Sequence, residues 1–405
     1  MIGRATPLPP TAATRPVAAA TATFDVVVIG AGPAGAFAAC LLARRGASVL
    51  LLDKARFPRD KACGGCVSAA ALQTLARHDL SDIAEACGAV TTDRLHLCNS
   101  GRAATIPLPP GRAISRRQFD QALVDAARAE GALFYDGTAG RVAGPASPDA
   151  ATIGVHLAGR GAAHARMVLV ADGLAGGALR GGPRLDPRHR PAPRVGLGAV
   201  LATDNGAVSA GTIHMAVAPC GYVGLVRLDR DQLGIAAAVD PRCLHRRAGE
   251  ADRQQAARDV IAEIAHSAGL ALPPATRHAA YLHTPYLTRQ VAGVAGAGVA
   301  GHRVLRLGDA AGYAEPFTGH GIAWALRCAE LAVEPTLRGL DRWPAGLAHD
   351  WSEQHRRTIR PAHRQTLRVT RALRSPALTG AAMRVLAWHP RVAGLVVRHY
   401  LRERR

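Results

Sequence analysis

The stretch Phe24-Asp25-Val26-Val27-Val28-Ile29-Gly30-Ala31-Gly32-Pro33-Ala34-Gly35 decides the fold. Its β-branched run is typical of a strand that is buried on both faces of a parallel sheet. The glycine turn leads directly into an Ala- and Leu-rich helix that ends near Gly46, and a second apolar strand, Ser48 to Leu52, stops at Asp53. This order of strand, glycine turn, helix, strand and acid predicts a complete dinucleotide-binding unit.

The three glycines and the acid have separate physical roles in such a unit. Gly30 permits the tight turn, Gly32 lets the backbone approach a pyrophosphate, and Gly35 allows the helix to contact the strand. The helix also directs unpaired N–H groups and the positive end of its dipole at the phosphate. Asp53 can accept hydrogen bonds from the adenosine ribose hydroxyls. Residues 296–301 repeat the glycine spacing but run into a strand, so we interpret them as a flexible loop.

The composition indicates a cytoplasmic globular protein. A chain of 405 residues can build two or three packed layers. The formal net charge of +20 comes almost entirely from arginines spread along the chain, without a recognition motif, so we expect no nucleic-acid partner. The eight scattered cysteines favour reduced thiols. No run of about 18 apolar residues lacks a charge or a proline, which argues against a membrane span.

A second glycine-containing region lies far downstream. Gly308-Asp309-Ala310-Ala311-Gly312 follows a short apolar strand, and Pro316-Phe317-Thr318-Gly319-His320-Gly321-Ile322 opens a helix. These residues resemble the second flavin motif of the superfamily of FAD-dependent aromatic hydroxylases and geranylgeranyl reductases. The resemblance implies FAD as cofactor, with Asp309 at the ribityl chain. It also implies that the start of the helix faces the pyrimidine end of the flavin, through Gly319, Gly321 and Ile322.

Two intermediate segments extend the resemblance over residues 24–335. Arg116-Arg117-Gln118-Phe119-Asp120 resembles the Arg-x-x-Phe-Asp signature of the family, which implies that Arg116 approaches the cofactor. Val170-Ala171-Asp172-Gly173 resembles the Asp-Gly motif of the family, although the serine that usually follows is absent. The resemblance also places Ala34 and Val142 among the cofactor-binding residues.

The stretch Phe57-Pro58-Arg59-Asp60-Lys61-Ala62-Cys63-Gly64-Gly65-Cys66 resembles the Cys-Gly-Gly loop of the geranylgeranyl-reductase branch. The resemblance implies that backbone amides at Gly64 and Gly65 run along the flavin. Cys63 and Cys66 are then bystander thiols, a redox-active pair or metal ligands. A zinc site needs a second pair that is missing, so we expect no metal.

Two further sites depart from the family pattern. Pro219-Cys220-Gly221-Tyr222 begins the substrate motif of the geranylgeranyl reductases, but smaller or charged residues replace the bulky ones that follow. The resemblance therefore implies a different substrate, of an aromatic or polyketide-like kind, with Tyr222 either facing it or packed in the core. His320 stands where relatives often have Glu. It is either a titratable donor near the flavin or a tolerated substitution at a solvent-facing turn.

The predicted fold class is α/β with α+β character. A Rossmann-type FAD-binding domain is interrupted by a substrate domain with a mainly antiparallel sheet, and a helical extension follows. We expect a disordered tail at 1–22 and a C-terminal helical region at 336–405. The expected FAD-binding domain comprises 23–80, 103–182 and 296–335, and the expected substrate domain comprises 81–102 and 183–295.

Five arginines near the C-terminus recur at three- and four-residue steps: Arg357, Arg360, Arg364, Arg368 and Arg371. This spacing aligns most of them on one face of a helix that runs through Pro361 or restarts near it. The stripe is a solvated helix face, a docking site for an acidic carrier protein, or a contact with an anionic membrane surface. The last alternative implies peripheral membrane association.

The sequence predicts an FAD-dependent oxidoreductase that acts on a hydrophobic small molecule. The first expectation is NAD(P)H-dependent monooxygenation, that is, hydroxylation of an aromatic or polyketide-like compound. Since only one convincing dinucleotide site is present, NAD(P)H would bind transiently as electron donor. A geranylgeranyl-reductase-like reduction of isoprenoid double bonds and a non-catalytic flavin-binding protein are the alternatives. The chemistry is centred on the flavin, and the protein groups considered for it are His320, Tyr222 and Cys63.

Overall fold

The computed structural model describes residues 22–145, 150–179, 194–202, 208–229, 231–248, 252–284 and 299–388. The strands, in chain order, are β1 (Thr23–Ile29), β2 (Val49–Leu52), β3 (Cys66–Val67), β4 (Val90–Asn99), β5 (Arg102–Ala113), β6 (Leu133–Tyr135), β7 (Gly140–Pro145), β8 (Ile153–Leu157), β9 (Gly161–Val170), β10 (Val195–Ala202), β11 (Thr212–Ala218), β12 (Gly221–Arg227), β13 (Gln232–Val239), β14 (Leu282–His283), β15 (Ala300–Gly301) and β16 (Val304–Arg306). The α-helices are α1 (Pro33–Arg44), α2 (Ala69–Ala76), α3 (Ile83–Ala86), α4 (Arg116–Ala129), α5 (Pro241–Ala248), α6 (Arg253–Ala268), α7 (Gly321–Asp341), α8 (Leu347–Thr358), α9 (Arg360–Ala372) and α10 (Pro376–Trp388).

The first sheet contains the dinucleotide-binding unit at its centre. Its strand order is β15-β16-β9-β1-β2-β6, and the β7–β8 hairpin joins it through β9. The strands from β16 to β6 are parallel, and Val27 of β1 pairs with both Leu50 and Val168. Since β1 has a strand on each side and a core on each face, its apolar run is fully buried. This confirms the buried strand predicted from its β-branched residues.

Each face of the first sheet packs against a different layer. Helices α1, α4 and α7 cover one face, where Phe37 and Phe119 are fully buried. The other face packs against the β7–β8 hairpin and the first half of β9, where Ile153 and Leu157 are buried. The loops that carry the glycine motifs follow the carboxyl ends of the parallel strands β1 and β16.

The second sheet is mainly antiparallel, as the sequence predicted. Its order is β14-β10-β13-β12-β11-β4-β5-β3, and every neighbouring pair is antiparallel except β4 and β11. Helix α6 covers one face with Val260, Ile261 and Ile264. The opposite face packs against Phe317 and against Met383 of α10. One face of this sheet thus meets both the second flavin motif and the C-terminal extension.

Two domain boundaries differ from those expected from the sequence. Strand β5 pairs with β4 along its length, so residues 103–113 belong to the second sheet and not to the first unit. The reversal occurs at Ser100 and Gly101, which both have positive φ and form a tight hairpin that the sequence pattern concealed. Helix α7 continues through Pro335 to Asp341, so it crosses the boundary expected between residues 335 and 336.

The expectation that all cysteines are reduced is wrong for one pair. Cys220 and Cys243 form a disulfide, with their Cα atoms 6.0 Å apart. Cys220 lies in the turn between β11 and β12, and Cys243 lies in α5 directly after β13. The pairing of β12 with β13 brings these two positions together, although 23 residues separate them in the sequence. Spacing alone does not reveal such a contact.

The C-terminal region is helical as expected, as far as the structure describes it. A new helix, α9, begins at Arg360 with Pro361 in its first turn, so of the two alternatives the helix restarts near that proline. Within the described ranges, no helix combines the length and the apolar character needed to cross a bilayer. The expected tail at 1–22 lies outside the described residues except for Ala22, and so do residues 296–298 of the second glycine-spaced stretch.

Candidate cofactor and substrate site

Two glycines of the first motif are required by the packing of the protein itself. Gly30 has φ +105°, and a Cβ added there would lie 2.3 Å from the carbonyl oxygen of Ala171. A Cβ added at Gly35 would lie 1.8 Å from the carbonyl oxygen of Gly30. Any side chain at either position would push β1, α1 and the end of β9 apart.

Gly32 is different because protein packing does not require a glycine there. Among the described residues, an added Cβ would have only the Nη2 atom of Arg59 within 4 Å, at 3.7 Å. Gly32 is the N-cap of α1 and provides no side chain to cap the helix, so the first N–H groups of α1 are left for another partner. This arrangement fits a pyrophosphate that approaches the bare backbone.

Asp53, which directly follows β2, stabilises the glycine turn that follows the neighbouring strand β1. Its Oδ2 accepts a hydrogen bond from the Ala31 amide at 2.9 Å, and its Oδ1 accepts one from the Ala55 amide at 2.9 Å. Arg59 Nη2 lies 3.6 Å from the same Oδ2. A carboxylate has further lone pairs, so Asp53 can still accept a hydrogen bond from a ribose hydroxyl.

A buried charge cluster connects the first motif to α4. Asp120 is fully buried and accepts two hydrogen bonds from Arg116, at 2.8 and 2.7 Å. Arg59 Nη1 lies 3.0 Å from Asp120 Oδ2, so Arg59 bridges Asp120 and Asp53. Burial opposes the charged form of Arg116, but Asp120 and Cys63 outweigh it and raise the pKa of the guanidinium. Arg116 thus remains a cation beside the Cys-Gly-Gly loop.

Lys61 adds a third cation to this cluster. It keeps contact with solvent, yet the surrounding protein desolvates it and lowers the pKa of its ammonium, and neighbouring Arg116 contributes to the same shift. Its Nζ lies 3.6 Å from the position of a Cβ added at Gly173, so Lys61 lies at the Asp-Gly motif. The nearby carboxylate of Asp309 raises the pKa of Lys61 and partly offsets this shift. The three cations of this group thus lie among the carboxylates of Asp53, Asp120 and Asp309, and the exposed Lys61 is the one best suited to pair with an anionic cofactor.

The second motif lies directly against the first. A Cβ added at Gly308 would come within 2.9 Å of the Cβ of Ala34 in α1. Desolvation raises the pKa of the half-buried Asp309, although Lys61 counteracts the shift. At Gly321, the first residue of α7, an added Cβ would meet none of the described atoms within 4 Å. The start of α7 is thus as open as the start of α1, while Ile322 is buried in the core behind it.

The Cys-Gly-Gly loop lies between the second motif and the second sheet. A Cβ added at Gly319 would lie 3.6 Å from the Cβ of Cys66, and one added at Gly64 would lie 3.8 Å from the Cβ of Ala236. The amide of Gly65 donates to Cys63 Sγ at 3.5 Å, so this amide already has a partner within the loop. Burial raises the pKa of the Cys66 thiol to about 12, which keeps it protonated and unreactive.

His320 is buried, so the interpretation of a solvent-facing turn is wrong. It is the N-cap of α7 and is 9% exposed. Its Nδ1 lies 2.7 Å from the carbonyl oxygen of Thr318, and since a carbonyl can only accept, Nδ1 carries the proton. Burial lowers the pKa of His320. A neutral imidazole whose Nε2 is an acceptor therefore stands at the start of α7.

Tyr222 is a buried residue of the apolar face of the second sheet. Its ring packs edge-to-face on Phe317 with centroids 5.1 Å apart, and the guanidinium of Arg194 lies over it at 5.3 Å. Burial and the neighbouring Glu315 raise the pKa of Tyr222 well above its usual value. The phenol therefore stays protonated at neutral pH.

Val142 and Asp172 support the first motif from behind. The amide of Val142 in β7 donates to the carbonyl of Ala178 at 2.7 Å, and its side chain belongs to the same apolar cluster as Ile29. Asp172 accepts a hydrogen bond from the Ala178 amide at 2.9 Å. Both residues fix the loop that follows β9, next to Gly30.

Sequence reasoning missed several charged residues at this site. Arg59 and Asp120 link the glycine turn to α4, and Glu315 is a buried carboxylate that pairs with Arg194 at 2.7 Å and with Arg374 at 3.1 Å. Lys61 had a detectable signal, because it is one of two lysines among 50 basic residues. Glu315 had no such signal, since its partners lie 121 and 59 residues away.

Comparisons with known proteins agree with this geometry. Residues 23–180 match the family model described as FAD binding domain. The chain is 29% identical over 409 aligned positions to a menaquinone reductase of Mycobacterium tuberculosis, with 90% of each chain covered. Two other curated relatives, 34% and 38% identical, align with this chain over only 29% of their own lengths.

Solved structures share the whole fold. A geranylgeranyl bacteriochlorophyll reductase-like protein of Thermoplasma acidophilum superposes with a TM-score of 0.71 at 17% identity, covering 91% of this chain and 92% of that one. The pqsL protein of Pseudomonas aeruginosa, a probable FAD-dependent monooxygenase, superposes with a TM-score of 0.63 at 17% identity, covering 93% and 100%. Together with the two glycine motifs, these findings show that residues 23–180 carry an FAD binding domain and that the chain shares its fold with flavin-dependent reductases and monooxygenases.

Proposed function

We propose that the chain uses FAD to reduce a carbon–carbon double bond of an apolar, isoprenoid-type substrate, with NAD(P)H as transient electron donor. The observation that carries this proposal is the apolar face of the second sheet. Tyr313, between the two segments of the second flavin motif, and Phe317, within its second segment, pack there with three residues of the sheet, namely Met215, Val217 and Tyr222. A substrate held at this face lies next to the start of α7, where the flavin ring is expected.

The residues of this chain fit the roles that such a reaction requires. Bound FAD would supply the hydride chemistry, and the protein would hold and polarise it. The start of α1 and Arg59 would bind the pyrophosphate, and the start of α7 would stabilise negative charge at the pyrimidine end of a reduced flavin. His320 presents an Nε2 acceptor at the same helix end, so it can hold a proton there.

The curated relative that aligns along most of the chain favours reduction, whereas the sequence suggested oxygenation first. The relative that aligns over nine-tenths of both chains is a menaquinone reductase, and one structural neighbour is described as geranylgeranyl bacteriochlorophyll reductase-like. The Cys63-Gly64-Gly65 loop, which resembles that branch, contacts the second motif through Cys66 and Gly319.

Monooxygenation of an aromatic or polyketide-like compound is the second candidate. The observation that favours it is the small wall of β12, where a Cβ added at Gly224 would lie 2.8 Å from the Sδ of Met215. Gly224 stands where the isoprenoid-reductase motif has a bulky residue, which favours a differently shaped substrate. The likeness to a probable FAD-dependent monooxygenase supports the same class.

Anaerobic turnover distinguishes these functions. We would reduce the purified flavoprotein without oxygen, add a polyprenyl quinone or geranylgeranyl compound, and follow flavin absorbance and product mass. The proposal predicts flavin reoxidation and a product that is 2 Da heavier than the substrate. Reoxidation only after oxygen is admitted, with a product that gains 16 Da, would assign monooxygenation instead. Bound FAD without either product would indicate a non-catalytic flavin-binding protein.

A further inference from the structure

Helix α10 has an apolar inner side and a second apolar strip on its outer side. Its inner side packs on the second sheet, where Met383 is 1% exposed beside Met215 and Tyr222. On the outer side, Leu378 is 58% exposed and Val385 is 54% exposed. Residues seven apart lie on the same face of a helix, and the two alanines between them, at 381 and 382, are also exposed. An apolar strip therefore faces away from the protein.

The preceding helix carries positive charge on its exposed side. Arg364, Arg368 and Arg371 of α9 are exposed at steps of four and three residues, which places them on one face. Arg384 is exposed beside the apolar strip of α10. From residue 354 to residue 402 the sequence contains 11 arginines and neither Asp nor Glu. This charge is therefore not balanced by acids along the same segment.

We propose that the basic-apolar face, defined as Arg364, Arg368 and Arg371 of α9 with Leu378 and Val385 of α10, docks on the surface of an anionic bilayer. Exposed branched apolar side chains combined with arginines are typical of helices that lie in the interface of acidic lipids. An acidic protein would satisfy the arginines but gives no reason for the outward apolar strip.

The docked orientation would bring the proposed substrate-binding face of the second sheet close to the membrane. Helix α10 is at once the outer wall of the apolar face that holds Tyr222 and the carrier of the apolar strip. This part of the inference rests on the proposed function, since an isoprenoid-type substrate would reside in the bilayer. The docking itself is independent of that chemistry, so a measurement of lipid binding without turnover tests it separately.

Vesicle binding tests the inference with the complete flavoprotein. We would measure co-sedimentation with phosphatidylcholine vesicles that contain either 0% or about 30% phosphatidylglycerol, at low and high salt. The inference predicts binding to the anionic vesicles that weakens with salt. Each arginine near an anionic surface contributes about fivefold to binding, so R364Q/R368Q/R371Q lowers the partition coefficient about 100-fold. L378S/V385S lowers it roughly tenfold.

A matched control separates a specific face from net charge. R45Q/R102Q/R277Q removes the same number of positive charges from exposed sites elsewhere and is expected to bind nearly as the natural sequence does. Equal binding of the R364Q/R368Q/R371Q variant and this control would overturn the inference, as would equal binding to neutral vesicles. Two results together would assign the face to acidic proteins and would also overturn the inference. Polyglutamate at equal charge concentration would displace the protein from the vesicles, and L378S/V385S would bind the vesicles as the natural sequence does.

Discussion

At the scale of single residues, the glycines of the two motifs fall into two physical classes. Gly30 and Gly35 are required by the packing of β1, α1 and β9, because any Cβ there would overlap backbone atoms. Gly32 and Gly321 lie at helix starts where an added Cβ meets little or nothing among the described residues. The glycines of this second class are explained by a bound ligand and not by the packing of the protein. They are therefore the most direct evidence for a cofactor that the protein residues provide.

Substitutions in the two classes should therefore separate stability from cofactor binding. Gly35→Ala is expected to lower the free energy of unfolding by about 3 kcal/mol, because the new Cβ overlaps the Gly30 carbonyl. Gly32→Ala is expected to change the stability of the apoprotein by about 1 kcal/mol or less while weakening FAD binding at least about tenfold. Urea unfolding of the apoproteins and FAD titration measure the two effects. Equal loss of stability in both variants would contradict this division.

Lys61 should contribute to FAD binding in a pH-dependent way. A charge-assisted contact with an anionic cofactor is worth about 1.5–3 kcal/mol, so Lys61→Gln is expected to weaken FAD binding about 10- to 100-fold. Since desolvation lowers the pKa of Lys61, its charge and the affinity it provides are lost at a pH below the ordinary lysine pKa of 10.5. FAD titrations between pH 7 and 10 should show this decline in the natural sequence and not in Lys61→Gln. Arg45→Gln, at the far end of α1, is the control.

At the scale of elements, a single carboxylate connects three parts of the chain. Glu315 is 1% exposed and lies just before the helix-opening segment of the second motif. It pairs with Arg194 before β10 and with Arg374 after α9, so it ties the second sheet and the C-terminal helices to the flavin motif. Such a buried network positions α10 over the apolar face of the second sheet.

Removing this charge should be costly. Glu315→Gln leaves Arg194, with a 5% exposed side chain, as a buried cation without its counter-ion, so we expect a loss of about 3–5 kcal/mol in the free energy of unfolding. We also expect earlier proteolysis within α9 and α10, because their anchor is lost. Glu353→Gln removes a carboxylate that also pairs with two arginines, but in an exposed setting, and should change little. Similar stability of the two variants would refute the anchoring role.

Two buried histidines should make the helical extension sensitive to acid. Burial lowers the pKa of His355 to about 4 and that of His363 to about 3. The unfolded chain takes up these protons near the ordinary value of 6.5, so the stabilisation is complete above pH 6.5 and declines as the pH falls toward 4 and then 3. The Tm of H355Q/H363Q should therefore depend less on pH between 6.5 and 4 than that of the natural sequence. The same dependence of Tm on pH in both proteins would contradict this role of the two histidines. His278→Gln, which replaces an exposed histidine, is the control.

At the scale of the whole molecule, the sequence predicts what local patterns control. The β-branched run of β1, its glycine turn and the acid after β2 follow fixed spacing, so the first motif was predictable residue by residue. The second motif was predictable by resemblance, because Gly308-Asp309 and the start of α7 are again contiguous. Contacts between distant segments were not predictable. The disulfide of Cys220 and the hub at Glu315 arise from sheet pairing and helix packing that no spacing encodes.

The central claim is that the two glycine motifs together bind one FAD molecule. The most direct test is FAD affinity in Gly32→Val, Gly321→Val and the double variant, with folding checked by circular dichroism. Since neither position is packed against the described protein, we expect folded variants, one FAD per chain in the natural sequence, and at least about tenfold weaker binding in each single variant. Full FAD affinity in a folded Gly321→Val protein, or a natural sequence that binds no FAD, would contradict the account.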